Sequence, residues 1–374
     1  MAEIGKVLIV GGGIAGMAAS IRFREQGIAV DLIDLDPEWR VYGAGITITG
    51  PTLRAYKRLG LIEAIKTHGC ITNGASIFRF DGIHLQDLDE PALEEGLPAT
   101  GGIMRPVLHR IMQERVRELG TGVRLGLTVL ALENVDQGVD VTFSDGTSAR
   151  YDLVVGADSI NSSVRAIAFP HMGEAVHTGQ GCWRISIARP PMLERGEMYF
   201  GHEFPAGITP CALDKVYLWM LTPHIRRERH FNETELFDNL KANLGPFGNS
   251  AGWIRDNMQP TDWINYRPLV AALQAKPWHV GRIVLVGDAV HATTPHLASG
   301  AGIAVESALV LVDELTAALS VDNGLAAYQE RRYERCRDVV ETSVAVGKLQ
   351  LNGGSPDQIG SMIGGALHRL AEDF

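Results

Sequence analysis

Cysteine is scarce in this 374-residue chain: Cys70, Cys182, Cys211 and Cys336 lie far apart and form no C-x-x-C pair. No disulfide framework or zinc knuckle is legible, and buried thiols in a reducing cytoplasm are the expectation. Positive charge is also short. Lys and Arg number 34 against 44 Asp and Glu, for a formal net charge of -10 at pH 7, and no basic tract is present to release counterions from a nucleic-acid backbone. Nucleic acid is therefore not an expected partner. No apolar run reaches the roughly 20 residues needed to span a bilayer. The most apolar stretch, Val7 to Ile21, ends at Arg22 and is broken by Gly11, Gly12, Gly13 and Gly16. The segment from Met1 through Lys6 lacks the order of a signal peptide, so Met1 reads as a native start and the chain as soluble and cytoplasmic. Paired catalytic carboxylates, a Ser-His-Asp order and metal-ligand spacings such as H-E-x-x-H are missing too, so no metal is expected.

What is present describes a loop-rich α/β protein. Glycine, at 42 residues against 17 Pro, accompanies 45% hydrophobic and 21% charged residues, which excludes disordered, collagenous and coiled-coil chains. The length exceeds one ordinary domain, so two packed units or one unit with an insertion are expected.

Three β-branched runs end alike: Lys6-Val-Leu-Ile-Val-Gly11, Asp152-Leu-Val-Val-Gly156-Ala-Asp158 and Arg282-Ile-Val-Leu-Val-Gly287-Asp288. None alternates with polar residues, as suits strands covered by helices on both faces. In a doubly wound sheet ligands sit beyond the carboxyl ends of parallel strands, so the three segments point to one site. The first is the most specific. Gly11-x-Gly13-x-x-Gly16 follows a strand and opens a helix from Ile14 through Ala15 to Glu25; Gly27 ends that helix, and Ala29 to Asp34 forms the next strand with an acid at its end. The first Gly serves the turn, the second the approach of a pyrophosphate and the third helix packing, with Asp34 for a ribose diol. This unit alone does not choose between NAD and FAD.

Further motifs follow: Gly43-Ala44-Gly45-Ile46, Arg105 ahead of Leu108-His109-Arg110, Asp152 to Asp158, and Gly287-Asp288-Ala289-Val290-His291 with Pro295 and Gly300-Ala301-Gly302 behind it. With these, the chain resembles the flavoprotein aromatic hydroxylases, single-component FAD monooxygenases of the para-hydroxybenzoate hydroxylase type, from about residue 5 to about residue 330. The resemblance implies non-covalent FAD, with Asp34 on the adenosine ribose, Arg105 near the ribityl and pyrophosphate, and Asp288 accepting from ribityl hydroxyls. Gly11, Gly13, Ile14, Ala15, Gly16, Arg40, Gly45, Asp158, Pro295, Gly300, Ala301 and Gly302 complete the cofactor-binding set. It further implies a helix N-terminus after Gly300 facing the flavin pyrimidine edge, where its dipole favours negative charge.

Two positions depart from the family pattern. Ser159 stands where Asp158 would usually be followed by Gly, which puts the efficiency of nicotinamide use in question; Ser159 could instead cap the helix beginning near Ser162. Ala298 replaces a more usual Gly after Pro295. No second complete G-x-G-x-x-G unit follows, so a nicotinamide reductant visits without a domain of its own.

Between Gly181 and Pro268 the pattern changes to strands and hairpin turns: Cys182 to Ala188, Glu197 to Phe200, Ala206 to Thr209, and Lys215 to Leu221 after Asp214. Glu233 to Leu244 reads as a helix, Trp253 to Trp263 as a link back, and residues 71 to 103 as one more strand and a loop. The expected fold is α/β: a Rossmann-like FAD-binding domain (1–75, 101–180 and 269–325), an inserted mainly antiparallel β-sheet substrate domain (76–100 and 181–268), and C-terminal helices (326–374). Those helices suit a lid, a homodimer surface or a solvated face.

Arg184, His202 and Tyr217 are the catalytic candidates, with His224 and His296 behind them, among Trp183, Tyr199, Trp219 and Met220; strand alternation puts only about half of these on a pocket face. His291 reads as packing. The expected activity is hydroxylation of a small aromatic or heteroaromatic substrate with NAD(P)H and O2 through a flavin C4a-hydroperoxide. A non-hydroxylating flavin oxidoreductase on the same fold, or a flavin-binding redox module without turnover, remain the alternatives.

Overall fold

The computed structural model describes residues 4–41, 43–224 and 231–374. Met1, the expected native start, lies outside them. The three apolar runs become adjacent strands of a six-stranded sheet, ordered His279–Val280, Ile283–Leu285, Leu153–Gly156, Lys6–Val10, Ala29–Asp34, Gly122–Leu125. The sheet is parallel apart from its first short edge strand. Val10 pairs with Gly156, and Gly156 with Leu285, so the three strand ends fall level. Backbone closeness at that rim explains two of the glycines. Gly11 has φ +106°, and a Cβ there would lie 2.4 Å from the Ala157 carbonyl oxygen; Gly287 has φ +62°, and its Cβ would meet that of Ala15 at 2.7 Å. The Ile14–Glu25 helix packs the sheet together with the Gly300–Ala317 helix, burying Val7 to Val10, Met17, Ile21, Phe23, Val305 and Leu309 in one core.

The second large sheet has seven strands, ordered Ile264–Leu273, Val176–Ala188, Lys215–Pro223, Ala206–Pro210, Gly196–Phe200, Gly74–Arg79, His84–Asp89. It is antiparallel except where Gly196–Phe200 runs parallel to Gly74–Arg79. Residues 71–103 contribute more than the expected strand and loop. They supply the hairpin 74–89, and Cys70–Thr72 and Thr100–Met104 join Gly45–Thr49 in a three-stranded sheet. The stretch expected to link back from Trp253 instead begins inside a helix, Asn249–Asn257.

Strand alternation divides the residues of the large sheet. Trp183, Ile185, Tyr199, Leu218 and Met220 share a core with Leu240, Leu244, Phe247, Ala251 and Ile254 of the covering helices Glu233–Asn243 and Asn249–Asn257 and the loop between them. Arg184, Tyr217, Trp219 and Leu221 have the opposite parity and face the nucleotide-binding unit. Trp183, Tyr199 and Met220, expected around the pocket, therefore belong to the covered face.

The chain closes with two helices, Val321–Leu351 and Pro356–Ala371. The first is not a solvated face: Leu325, Tyr328 and Cys336 enter the main core, and the Arg332 and Arg335 guanidinium groups both bind Glu306, which is 1% exposed. All four cysteines are free thiols. Among the described residues no helix is long and apolar enough to cross a membrane.

Candidate active site

A cavity of about 540 Å³ lies between the level strand ends and the seven-stranded sheet. It is lined by Gly13, Ile14, Ala15, Arg105, Asp288, Gly300 and Ala301, residues from three distant parts of the chain. Gly13 has φ -76°, and a Cβ there would touch nothing within 4 Å, whereas a Cβ on Gly16 would lie 1.9 Å from the Gly11 carbonyl oxygen. The second glycine thus leaves open space and the third permits helix-to-strand contact. The helices starting at Ile14 and Gly300 both lack a side-chain cap and an acid in their first turn. Two uncapped N-termini, each with orphan N–H groups and a positive dipole end, therefore open on one cavity.

These residues fit a flavin dinucleotide. Backbone N–H groups and the Arg105 fork suit a diphosphate, and the Asp288 carboxylate, accessible from the cavity, suits a polyol. Burial pushes the Asp288 carboxyl above the usual range, against the pull of His291 and Arg105. Asp34 accepts from the Gly12 N–H at 2.7 Å and the Asp36 N–H at 2.8 Å, one bond to each carboxylate oxygen. Each oxygen keeps a lone pair for a ribose hydroxyl. Pro295 and Gly45 also line the cavity. A Cβ on Gly45 would collide with Cys211 Sγ at 2.2 Å and Tyr217 Cβ at 2.7 Å, so its bareness also seats Tyr217.

Three expected cofactor contacts have other occupations. The Asp158 carboxylate takes hydrogen bonds from Ser162 Oγ and the N–H groups of Ser163 and Val164, holding the start of the Ser163–Ala168 helix. Ser162, not Ser159, caps that helix, by accepting from the Arg165 N–H. Ser159 lines the cavity with φ +69°, a left-handed backbone that explains why glycine suits this position. Arg40 pairs with Asp36 at 3.1 Å and Glu38 at 3.1 Å on the surface. A Cβ on Gly302 would meet Thr52 Oγ1 at 2.2 Å, so this glycine serves contact with the Gly50–Arg58 helix.

The seven-stranded sheet lines the same cavity with Arg184, Tyr217, Trp219, Leu221 and Leu269, and His296 lines it too. Arg184 hydrogen-bonds Tyr217, and burial pushes the Tyr217 phenol up to about 12, so it keeps its proton at neutral pH. His202 does not join them. Its ring packs among Phe80, Phe204 and Phe247. His224 packs against His177 and Tyr266, with Nδ1 2.6 Å from the Tyr266 hydroxyl. His291 is packing as expected, 1% exposed and 3.0 Å from Ser307 Oγ.

Sequence reasoning missed His109, Gln350, Ile363 and Leu367, which also line the cavity. His109 had a signal, one helical turn after Arg105 on the same helix face. Burial holds its imidazole below the usual range. Gln350, Ile363 and Leu367 had none, because only tertiary folding brings the last two helices here.

A family model described as FAD binding domain matches residues 5–343. A Bacillus subtilis protein named as an FAD-dependent monooxygenase, YetM, is 31% identical over 358 residues, covering 95% of this chain and 96% of its own. The 2-heptyl-3-hydroxy-4(1H)-quinolone synthase of Pseudomonas aeruginosa is 30% identical over 350 residues, covering 92% and 89%. Among solved structures, Klebsiella pneumoniae HpxO complexed with FAD and uric acid has a TM-score of 0.82 at 22% identity, covering 98% of this chain and 93% of that one, a likeness of fold.

Proposed function

The chain belongs to the FAD binding domain family and is an FAD-dependent flavoprotein monooxygenase; from that premise we propose that it hydroxylates a small aromatic or heteroaromatic ring bearing an ionisable hydroxyl, with NAD(P)H and O2 as co-substrates. The observation that carries this reading is the Arg184–Tyr217 pair. Arg184 lines the cavity, forms no ion pair with an Asp or Glu among the described residues, and has the Tyr217 phenol as its hydrogen-bond partner. An enclosed guanidinium without a counter-ion calls for an anionic ligand. A ring hydroxyl that ionises on binding supplies one, and ionisation makes the ring electron-rich.

FAD, when bound, would supply the chemistry with oxygen, with a nicotinamide as its reductant. The protein's part is to hold and shield. Arg184 stabilises the ring oxygen as an anion, while its bond to the Tyr217 oxygen leaves the Tyr217 O–H free to donate. Trp219 excludes water around the ring. Asp34 would hold the adenosine, and Gly13, Arg105 and the start of the Ile14 helix would hold the diphosphate. The relatives that act on quinolone and urate rings support a heteroaromatic substrate.

The test follows NAD(P)H oxidation, O2 uptake and product with phenols, pyridinols and quinolones, for wild type, Arg184→Met and Tyr217→Phe. Both variants are expected to keep FAD and lose product by about 10²-fold, with reducing equivalents diverted to hydrogen peroxide. Normal coupling in both would remove the pair from this role. Steady nicotinamide oxidation with no hydroxylated product from any ring would favour the non-hydroxylating oxidoreductase.

A further inference from the structure

The cavity continues past the ring site into a region of different chemistry. On the strand Val176–Ala188, Arg184, Cys182 and Gln180 share one face. The run from Arg184 to Gln180 covers about 13 Å of extended chain, longer than a single aromatic ring. Along it, Cys182, Leu221 and Leu269 form one apolar cluster, and Leu297 with Ile363 and Leu367 belongs to a second; all six line the same cavity.

The polar groups at this end are engaged with one another. His296 Nε2 lies 3.0 Å from Gln180 Oε1 and His296 Nδ1 lies 2.8 Å from Thr294 Oγ1, while Gln180 Nε2 donates to Gln350 Oε1 at 3.0 Å. Burial pushes His296 down to about 4, so it adds no charge at neutral pH. The outer wall is also fixed in place. Arg54 donates to the carbonyls of Ala371 at 2.8 Å and Glu372 at 2.5 Å, and Arg335 to that of Leu370 at 2.7 Å, clamping the end of the helix that carries Ile363 and Leu367. An apolar arm with preset walls, whose His296 and Gln180 side chains are already engaged with neighbours, favours hydrocarbon over an ion or a sugar.

We propose that the substrate is amphiphilic: its ring oxygen is held at Arg184, and the ring bears an apolar chain laid between Leu221 and Leu269 on one side and Ile363 and Leu367 on the other. This deepens, and rests on, the ring-hydroxylation reading above.

The experiment titrates the FAD-loaded enzyme with phenols and pyridinols carrying chains from methyl to octyl, reading the flavin absorbance change and product formation. Affinity is expected to rise about fourfold per methylene until the arm is full, the worth of burying one CH2. A terminal hydroxyl on the chain should cancel much of that gain. Leu367→Gln should flatten the series, and Ile363→Trp should end it at a shorter chain, both leaving flavin content and the affinity of the unsubstituted ring unchanged. Hydroxylated rings whose affinity is flat or falls with chain length overturn the arm while leaving ring hydroxylation standing. A slope that persists unaltered in both variants also overturns it. If no ring compound perturbs the flavin or gives product, the ring reading fails and the arm with it.

Discussion

Replacing Gly13 by Ala separates a cofactor role from a folding role at one position. Its φ of -76° and ψ of -173° are open to any L-residue, and a Cβ there touches no atom within 4 Å. The apoprotein should therefore gain the usual 0.4–1 kcal/mol or so from a less flexible unfolded chain. For a chain of this length the unfolding entropy is about 0.8 kcal/mol per degree, so the apoprotein Tm should rise by only about 1 °C. The methyl group, however, projects into the space left for the diphosphate, and overlap of that size costs roughly 1.4–2.8 kcal/mol, or ten- to a hundredfold in FAD affinity. Gly16→Ala is the contrasting case. Its Cβ would sit 1.9 Å from a backbone oxygen, so the helix must shift off the sheet and the apoprotein itself should lose about 1–3 kcal/mol or more. Thermal unfolding of flavin-free protein and quenching of flavin fluorescence on titration read the two quantities separately. A Gly13→Ala protein that binds FAD as tightly as wild type would refute the passage of the diphosphate over this glycine.

At Ser159 the left-handed backbone makes Ser159→Gly close to neutral, within about 1 kcal/mol, because relief of strain offsets the greater freedom of the unfolded glycine; Ser159→Val should lose about 1–2 kcal/mol. Equal urea midpoints for all three proteins would show that the backbone relaxes instead. His296, with its pKa pushed from 6.5 to about 4, is neutral in the folded protein. As pH falls through 6.5 the unfolded chain takes up the proton first, so stability declines down to about pH 4, by roughly 3 kcal/mol from this residue. His296→Gln should flatten that part of the pH–stability curve, and parallel curves for the two proteins would contradict the assignment.

The chain's sequence by itself determined the strand–glycine–helix units. The run Lys6 to Val10, the helix Ile14–Glu25 and the strand Ala29–Asp34 are bounded by residues whose own φ preferences and side-chain branching start and stop each element. Such preferences act within a few residues, so they can be read without the fold. Tertiary structure decided which polar groups meet. Tyr217 and His202 looked alike as candidates, yet strand parity turns Tyr217 into the cavity, while His202, just beyond a strand end, is claimed by three phenylalanines. Asp158 belonged to the expected cofactor-binding set, and its carboxylate takes the N–H of a helix start five residues on. Gly302 kept its family position but answers to Thr52, some 250 residues earlier in the chain. The apolar arm is the furthest from local reading, because Leu221 and Ile363 acquire a common environment only when the last helix packs beside the Pro295–Leu297 turn at the cavity. Side chains so distant in sequence share a surface through chain reversals and packing, and neither is written in the periodicity of any one segment.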